Sequence, residues 1–203
     1  MGKLLIASQN RGKIAEIKAL LAGEMLELVT PDEVGISLTV EENGQTYRQN
    51  AAIKAKAYSN AAGLISLADD TGLEVDALEG QPGIRSARFS PQPGATDADR
   101  RVYLLQQLAA HPRPWQARFR CVVAIASPPD TLFYTEGLCD GEIIPEERGE
   151  HGFGYDPIFW LPYLHYTIAE LDMLHKNQIS HRAHAVREAI PLLRELLKIS
   201  KIS

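Results

Sequence analysis

Cysteine, positive charge and long apolar runs are all scarce in this sequence, and each shortage argues against a class of protein. Its two cysteines, Cys121 and Cys139, stand outside any CxxC or Cys/His pattern, which excludes a disulfide scaffold or a zinc motif. We expect both to be reduced packing residues. The formal net charge of −5 argues against a nucleic-acid polymer as partner. No apolar run reaches the roughly 20 residues of a membrane span, and no signal-peptide pattern is seen, so a cytoplasmic location without a membrane partner is expected.

What remains is an ordinary globular composition. The chain has 203 residues, of which 45% are hydrophobic and 23% are charged, enough to bury a core without disulfides or a structural metal. No internal repeat, low-complexity segment or convincing linker divides it. We therefore expect residues 1–203 to form a single, two-lobed domain.

Strand-like and helix-like segments alternate along the chain. Strands are predicted at 4–7, 26–29, 64–68, 119–126 and 132–139. Helices are predicted from Lys13, over 46–62, from Thr96 or Asp97 to about Ala110, and after Ser180. Because strands interleave with helices and the last two strands look paired, the fold class is predicted as α/β with a mixed central sheet flanked by helices.

Two details of this assignment stay open. Segment 72–76 either extends the third strand or returns from it. Pro191 lies inside the last helical pattern, and since a proline within a helix costs about 3 kcal/mol, we expect a kink or a break near Ile190.

The first candidate site is the turn Ser8-Gln9-Asn10-Arg11-Gly12-Lys13, between a predicted strand and a predicted helix. Free N–H groups at a helix start favour an anion there, Gly12 would allow close approach, and Lys13 adds a charge. The segment lacks the first Gly and the final Ser/Thr of a complete GxxxxGK[ST] phosphate loop. A plain strand–turn–helix with a surface lysine is the alternative.

Acidic residues form the second candidate. Asp69 and Asp70 follow a predicted strand, where α/β proteins gather ligands. Two adjacent carboxylates there need a cation or a proton, and Mg²⁺ takes one or two carboxylates plus phosphate oxygens. A carboxylate could also act as general base on a water, while a solvated turn is an equal alternative. The turn Glu41-Glu42-Asn43-Gly44 gains a role only if it folds against Asp70.

Two later segments also carry polar and aromatic groups. Gly152–Pro157 places aromatics between glycines, which suits a loop that stacks on a flat ligand at about 1–3 kcal/mol per base; a core role for the aromatics is the alternative. Lys176–Arg182 places basic groups at a helix start, able to meet phosphate or a base edge, or simply to be solvated. His181 and His184 lie three residues apart, but no third ligand suggests zinc.

Together these segments resemble the inosine triphosphate pyrophosphatase family over nearly the whole chain. The resemblance rests on residues 8–13, 41–44, 68–73, 82–88, 152–157 and 180–182. It implies an elongated, two-lobed α/β molecule with a deep cleft, and a homodimer. The implied reaction is attack of water that splits the α–β phosphoanhydride of a purine nucleoside triphosphate substrate (ITP, dITP or XTP) into monophosphate and pyrophosphate, with Mg²⁺ as cofactor. Such enzymes cleanse the nucleotide pool of deaminated purines.

The resemblance also implies residue roles. Asp70 would be the catalytic carboxylate and a magnesium ligand, and Glu41 a second ligand, with Asp69 and Glu42 as near-equivalent neighbours. The triphosphate would be held by Ser8, Gln9, Asn10, Arg11, Gly12 and Lys13. The other substrate contacts would be Thr71, Phe153, Gly154, Tyr155, Asp156, Lys176, His181 and Arg182, with Phe153 stacked on the base.

The sequence departs from the family pattern in two places. Gln49 stands where a Glu is usual, which puts metal affinity in question if that Glu serves the metal. The stretch Trp160–Lys176 is unusually aromatic. Three rival functions remain: a pyrophosphatase for pyrimidine or modified nucleotides, a nucleotide sensor that no longer hydrolyses, and a generic interaction domain.

Overall fold

A computed structural model describes residues 2–198 of the chain. Within them, seven strands form one sheet: β1 (Gly2–Ile6), β2 (Leu26–Val29), β3 (Ile65–Val75), β4 (Trp115–Ser127), β5 (Thr131–Ile143), β6 (Phe159–Leu161) and β7 (Tyr166–Thr167). The α-helices of the same residues are α1 (Arg11–Leu20), α2 (Tyr47–Ala62), α3 (Asp97–Leu108), α4 (Met173–Ile179) and α5 (His181–Leu196).

The sheet is mixed, in the order β2-β1-β3-β4-β5-β6-β7. β1 pairs in parallel with β2 and β3, whereas β6 pairs antiparallel with β5 and β7. The predicted fold class, a mixed sheet with flanking helices, is confirmed. Ile6, the last residue of β1, stands opposite Leu67, and the Ala7 N–H donates to the Leu67 carbonyl at 2.8 Å. β3 therefore continues past the point where its neighbour β1 has ended.

Local sequence signals explain where helices begin and end. Thr46 caps α2 through its side chain, and Gly63 ends that helix at φ 65°, a conformation that favours a residue without Cβ. Thr96 and Asp99 form a reciprocal capping box at the start of α3. The predicted span of α2 is confirmed, and α3 ends at Leu108, close to its predicted end.

The predicted end of the third strand is wrong. β3 runs on to Val75, so segment 72–76 extends it, and Asp69 and Asp70 lie inside the strand rather than in a turn after it. Residues on both faces of β3 are buried, as expected of a central strand covered on both sides. The strand that ends near these aspartates is therefore β1, whereas β3 continues past them.

Of the kink or break expected near Ile190, the break is not found, and the kink stays a prediction. α5 is helical from His181 through Leu196 with Pro191 inside it. Val186, Ala189 and Leu193 of this helix are buried in a hydrophobic core. This packing offsets the roughly 3 kcal/mol that a proline within a helix costs.

The chain divides into two compact units, to both of which β3, β4 and β5 contribute. Of the described residues, unit 1 contains segments 2–70, 121–137 and 181–198, and unit 2 contains segments 71–120 and 138–180. Each unit has its own hydrophobic core. The single two-lobed domain inferred from the sequence stays a prediction.

The two cysteines are packing residues, as expected. Cys121 is buried in the core of unit 1 and Cys139 in that of unit 2, and both are free thiols. Burial raises the pKa of the Cys139 thiol to about 12. It is therefore an unreactive, protonated group at neutral pH.

Candidate active site

The segment Ser8–Lys13 of unit 1 connects β1 to α1, as predicted. Asn10 is the N-cap of α1: its Oδ1 accepts the Lys13 N–H at 3.1 Å, and its own N–H donates to Ser8 Oγ at 3.2 Å. Gln9, Asn10 and Arg11 are exposed. The segment thus opens a helix start to solvent, and both the first amides and the helix dipole favour an anion at such a place.

Asp69 is the centre of a buried ion network in unit 1. Its Oδ2 lies 3.1 Å from Lys13 Nζ and 3.1 Å from Arg182 Nε, and its side chain is 1% exposed. Arg182 also pairs with the buried Glu16 of α1. Burial alone would lower the pKa of Arg182, but Asp69 and Glu16 outweigh it and raise that pKa. Lys13 of the first helix and Asp69 of β3 therefore meet.

Asp70 has different partners, since successive side chains of a strand point to opposite faces. Its Oδ2 accepts the Asn50 Nδ2–H at 3.1 Å, and the residue is 7% exposed. Burial raises the pKa of Asp70, and the opposing charges of Lys54 and Lys13 do not cancel this effect. A carboxylate with a raised pKa is better suited to accept a proton from water. The two neighbouring aspartates are therefore chemically distinct.

Two residues of α2 complete this group and were not singled out from the sequence. Lys54 Nζ lies 3.0 Å from Glu42 Oε2; burial would lower its pKa, but the surrounding carboxylates raise it. Asn50 is 1% exposed, and its Oδ1 accepts the Gly44 N–H at 2.8 Å while its amide binds Asp70. Asn50 and Lys54 are four residues apart on one helix face. Two polar residues at this spacing in an Ala-rich helix are the signal that could have revealed them.

The loop Glu41–Gly44 folds toward Asp70, and the residue whose charge reaches Asp70 is Glu42. Glu42 is half-buried and raises the pKa of Asp70, whereas Glu41 is exposed. Gly44 is fixed to Asn50 by the hydrogen bond described above. Glu41 as a metal ligand stays a prediction, with Glu42 the neighbour that the geometry favours.

Gln49 has a capping role at the start of α2. Its Oε1 accepts the Gln45 N–H at 2.6 Å, and its own N–H donates to Thr46 Oγ1 at 3.2 Å. The residue is exposed. Since Gln and Glu both accept such hydrogen bonds, replacing the usual Glu by Gln preserves the cap.

The donor set of unit 1 fits a hard cation that completes its coordination with substrate. Among residues 2–198, no group of three or more His, Cys, Asp or Glu side chains is placed to hold a metal ion. Mg²⁺ needs no such cage, because it takes one or two carboxylates and fills its remaining positions with water and phosphate oxygens. Asp70 and the neighbouring Glu42 and Glu41 are carboxylates of the kind such an ion takes; Asp69 is engaged by two cations, Lys13 and Arg182, and Glu42 by one, Lys54.

The second group of predicted residues lies in unit 2, in the loop Gly152–Pro157. Asp156 Oδ2 accepts the Phe153 N–H at 2.9 Å and the Lys176 Nζ–H at 2.6 Å. The same Nζ lies 4.9 Å from the centroid of the Phe153 ring, a cation–π distance. The structure thus brings Phe153, Asp156 and Lys176 together, with Phe153 half-buried.

Tyr155 supports this loop from the core of unit 2. It is 4% exposed, and its hydroxyl donates to the Ser86 carbonyl at 2.9 Å. Burial raises its pKa, so the hydroxyl stays protonated. Ser86 lies in the 3-10 helix Gly83–Arg88, and its Oγ accepts the Leu73 N–H at 2.8 Å. The stretch 82–88 is therefore more than a connecting loop.

Several predicted substrate contacts have almost no accessible surface. Lys176, His181 and Arg182 are buried, and Thr71 of β3 is half-buried. Lys176 is paired with Asp156, and Arg182 with Asp69 and Glu16. The contacts of all four with substrate stay predictions. The geometry shows Lys176 as a support of the loop and Arg182 as a support of Asp69.

The molecule is thus an α/β protein in which the start of a helix, suited to bind an anion, lies beside two buried carboxylates. The chain belongs to the Ham1 family, whose sequence profile matches residues 4–192. The predicted family and enzyme class, nucleoside triphosphate pyrophosphatase, are thereby confirmed.

Named relatives and solved structures support the same family. The chain is 45% identical over 195 residues to a dITP/XTP pyrophosphatase of Desulforamulus reducens, covering 96% of each chain. It is 43% identical over 199 residues to one from Nostoc sp., covering 97% of each. A solved HAM1 protein from Coxiella burnetii has a TM-score of 0.86 and 40% identity, covering 96% of this chain and 100% of that one. The Staphylococcus aureus Ham1 protein has a TM-score of 0.83 and 37% identity, covering 95% and 98%.

No helix within residues 2–198 combines the length and the apolar character that crossing a bilayer requires.

Proposed function

We propose that this protein hydrolyses deaminated purine nucleoside triphosphates (ITP, dITP and XTP) to the nucleoside monophosphate and pyrophosphate, with Mg²⁺, and so cleanses the nucleotide pool. The observation that supports this most directly is in unit 1. A buried carboxylate, Asp70, has a raised pKa and interacts electrostatically with Lys54 and Lys13. Basic groups of this kind bind polyphosphate, and the carboxylate can activate a water.

In this proposal the residues of unit 1 act on the phosphates. The amides at the start of α1, with Ser8, Asn10 and Lys13, hold the triphosphate. Lys13 turns from Asp69 toward a phosphate oxygen, since both are anionic partners at the same Nζ. While Lys13 turns away, Asp69 stays bound to Arg182, which Glu16 holds in turn. Lys54, held by Glu42, supplies a second cation.

Asp70 is the general base. Its carboxylate takes a proton from a water whose oxygen attacks the α-phosphorus, and the bond between that phosphorus and the α–β bridging oxygen breaks. Pyrophosphate carries away the bond's electron pair, and the monophosphate keeps the oxygen of water. Asn50 holds Asp70 Oδ2 during this transfer. Asp70 with Glu41 or Glu42 would hold Mg²⁺, which when bound neutralises phosphate charge.

The residues of unit 2 act on the base. Phe153 stacks on the flat purine. Lys176 holds the ring of Phe153, and Asp156 holds its backbone N–H and Lys176. Inosine and xanthine carry a carbonyl at C6, which accepts a hydrogen bond from a donor such as a backbone N–H. Adenine presents an amino group there, and a buried unpaired group costs about 1–3 kcal/mol. This difference supports deaminated purines as substrates.

The test is a substrate panel with a pyrophosphate readout. Purified protein is assayed with dITP, XTP, GTP, dTTP and UTP, each with Mg²⁺ and with chelator. We expect pyrophosphate release from dITP and XTP with kcat/KM at least about tenfold above the others, and none with chelator. A preference for dTTP or UTP would assign the pyrimidine rival, and dITP binding without pyrophosphate release would assign the sensor.

The remaining parts of the proposal are a homodimer and a cytoplasmic location. The homodimer is implied by the resemblance to the family, and the location is the expectation drawn from the sequence. Light scattering of the purified protein and fractionation of cells test them separately. A monomer in solution would overturn the homodimer. Recovery of the protein outside the cytoplasmic fraction would overturn the location.

A further inference from the structure

Both backbone polar groups of Gly154, in the middle of the loop that carries Phe153, are bound by side chains of one helix. The Gly154 N–H donates to Asp97 Oδ2 at 2.8 Å, and the Gly154 carbonyl accepts the Arg101 Nη1–H at 2.8 Å. Asp97 and Arg101 lie four residues apart at the start of α3, on one helix face. All of these residues belong to unit 2.

The two side chains are themselves held firmly. Arg101 is 12% exposed and makes a two-bond ion pair with Glu147, at 2.8 Å from Nε and 2.9 Å from Nη2. Asp97 is paired with Arg100, and its hydrogen bonds with Gly154 and Arg100 lower its pKa although burial opposes this. A carboxylate and a guanidinium therefore bind the loop, and charge-assisted hydrogen bonds are the stronger kind.

The loop needs such anchoring because of its own sequence. Gly152 and Gly154 have φ of 76° and 65°, in the left-handed region. Glycine loses more conformational freedom on ordering than any other residue, so a loop with two glycines beside Phe153 is mobile unless its backbone is bound. Phe153 itself is bound through its N–H to Asp156 and contacts Lys176 through its ring. The Asp97–Gly154–Arg101 bonds thus fix the residue directly after Phe153.

We infer that Asp97 and Arg101 are positioning residues for base binding: they hold the loop 152–156 in the conformation in which Phe153 receives the base. The inference rests on the proposed function, in which Phe153 stacks on the purine. Neither residue touches the substrate in this account. The pair acts through the loop backbone and so changes how tightly the base is held, while the chemistry on the phosphates in unit 1 is unaffected.

The experiment compares Arg101→Met and Arg101→Lys with Arg118→Met as matched control. Arg118 also forms ion pairs in unit 2, with Glu74 and Asp76, but does not bind the loop. KM and kcat for dITP are measured with Mg²⁺ in each variant, together with hydrogen exchange of the peptide covering 150–158. Phe153→Ala is the reference for loss of stacking.

We expect Arg101→Met to raise KM about tenfold with kcat changed less than twofold, and to speed hydrogen exchange of the loop peptide. Arg101→Lys, which keeps the charge, should recover part of both losses, and Arg118→Met should change neither. A role in stability alone would lower the melting temperature and leave KM unchanged. If Arg101→Met does not fold, Arg101→Lys carries the test, because its loop exchange and KM should still rise together.

Two results would contradict the inference in distinguishable ways. If Phe153→Ala raises KM while Arg101→Met leaves KM and loop exchange unchanged, the positioning role is wrong and the proposed function stands. If Phe153→Ala leaves KM unchanged, the stacking role in the proposed function is wrong, and the positioning role is lost with it.

Discussion

Charged side chains on regular elements form the polar group of unit 1, whereas in unit 2 the predicted base-binding residues lie on a loop held through its backbone. In unit 1, Asp69 is bound by two cations on α1 and α5, and Asp70 by an amide on α2. In unit 2, Phe153 and Gly154 are held by N–H and carbonyl bonds to Asp156, Asp97 and Arg101.

The contrast matches what each part of a nucleotide requires. Every nucleoside triphosphate presents the same phosphates, so a rigid arrangement of compensated charges suits them. Bases differ in a few polar atoms, and a loop can be altered without disturbing a buried ion network. We therefore expect substitutions in unit 1 to affect turnover or stability, and substitutions on the loop to affect substrate affinity.

The largest effect is expected from Asp70→Asn. The amide is isosteric but cannot accept the proton of water, so kcat for dITP should fall roughly 10³–10⁴-fold. Pyrophosphate release measures it, and circular dichroism checks the fold. The control is Asp130→Asn, an exposed aspartate paired with Lys56, which should retain full activity. Near wild-type kcat in Asp70→Asn would show that another group is the base.

Arg182→Met should cause the largest loss of stability. It leaves two buried carboxylates, Asp69 and Glu16, without their shared cation, and breaking a buried pair from one side costs about 3–5 kcal/mol. Urea unfolding measures the free energy. Arg194→Met removes the arginine of the more exposed pair with Glu24 and should cost at most about 1 kcal/mol. Equal losses in the two variants would mean that burial of the network contributes nothing.

Phe153→Ala should raise the KM for dITP about tenfold or more, since base stacking is worth about 1–3 kcal/mol. Because Phe153 lies on the loop of unit 2, kcat should change little. Steady-state kinetics separate the two constants, and Phe153→Trp, which keeps an aromatic face, should stay near wild type. A fall in kcat at constant KM would break the division of roles between the units.

The smallest effect is expected from Gln49→Ala. The change removes the acceptor for the Gln45 N–H at the start of α2, and an exposed helix cap of this kind is worth about 0.5–1 kcal/mol. Gln49→Glu should match wild type in both urea unfolding and the Mg²⁺ dependence of pyrophosphate release. A clear shift of the Mg²⁺ titration in Gln49→Glu would reassign position 49 to the metal site.

Much of the fold could be predicted because its signals are local. Apolar periodicity and capping residues such as Thr46 and Thr96 located the main helices, and alternation of strands with helices predicted a mixed α/β sheet. The errors fell where local signals conflict with packing. Two charged residues inside β3 read as a turn, and Pro191 read as a possible end of a helix that in fact continues past it, because neither pattern shows the partners that stabilise it.

The candidate site was predicted in its segments but not in its pairings. Ser8–Lys13 and the two aspartates were identified, and the structure joins them through the Lys13–Asp69 ion pair. Asn50 and Lys54 were missed, since a lysine or an asparagine in a helix is ordinary until its neighbours are known. Alternation along β3 separates the environments of Asp69 and Asp70, but which face meets cations depends on α1, α2 and α5.

The order of residues along the chain was thus enough to predict the fold class and the family correctly and to propose the segments that carry the chemistry, because these depend on short-range patterns and on motif combinations. Which aspartate is compensated and which keeps a raised pKa, which glutamate approaches it, and how Gly154 is held are consequences of packing. Each of these depends on charges and hydrogen-bond partners that are far apart in sequence. Burial sets how strongly these groups interact.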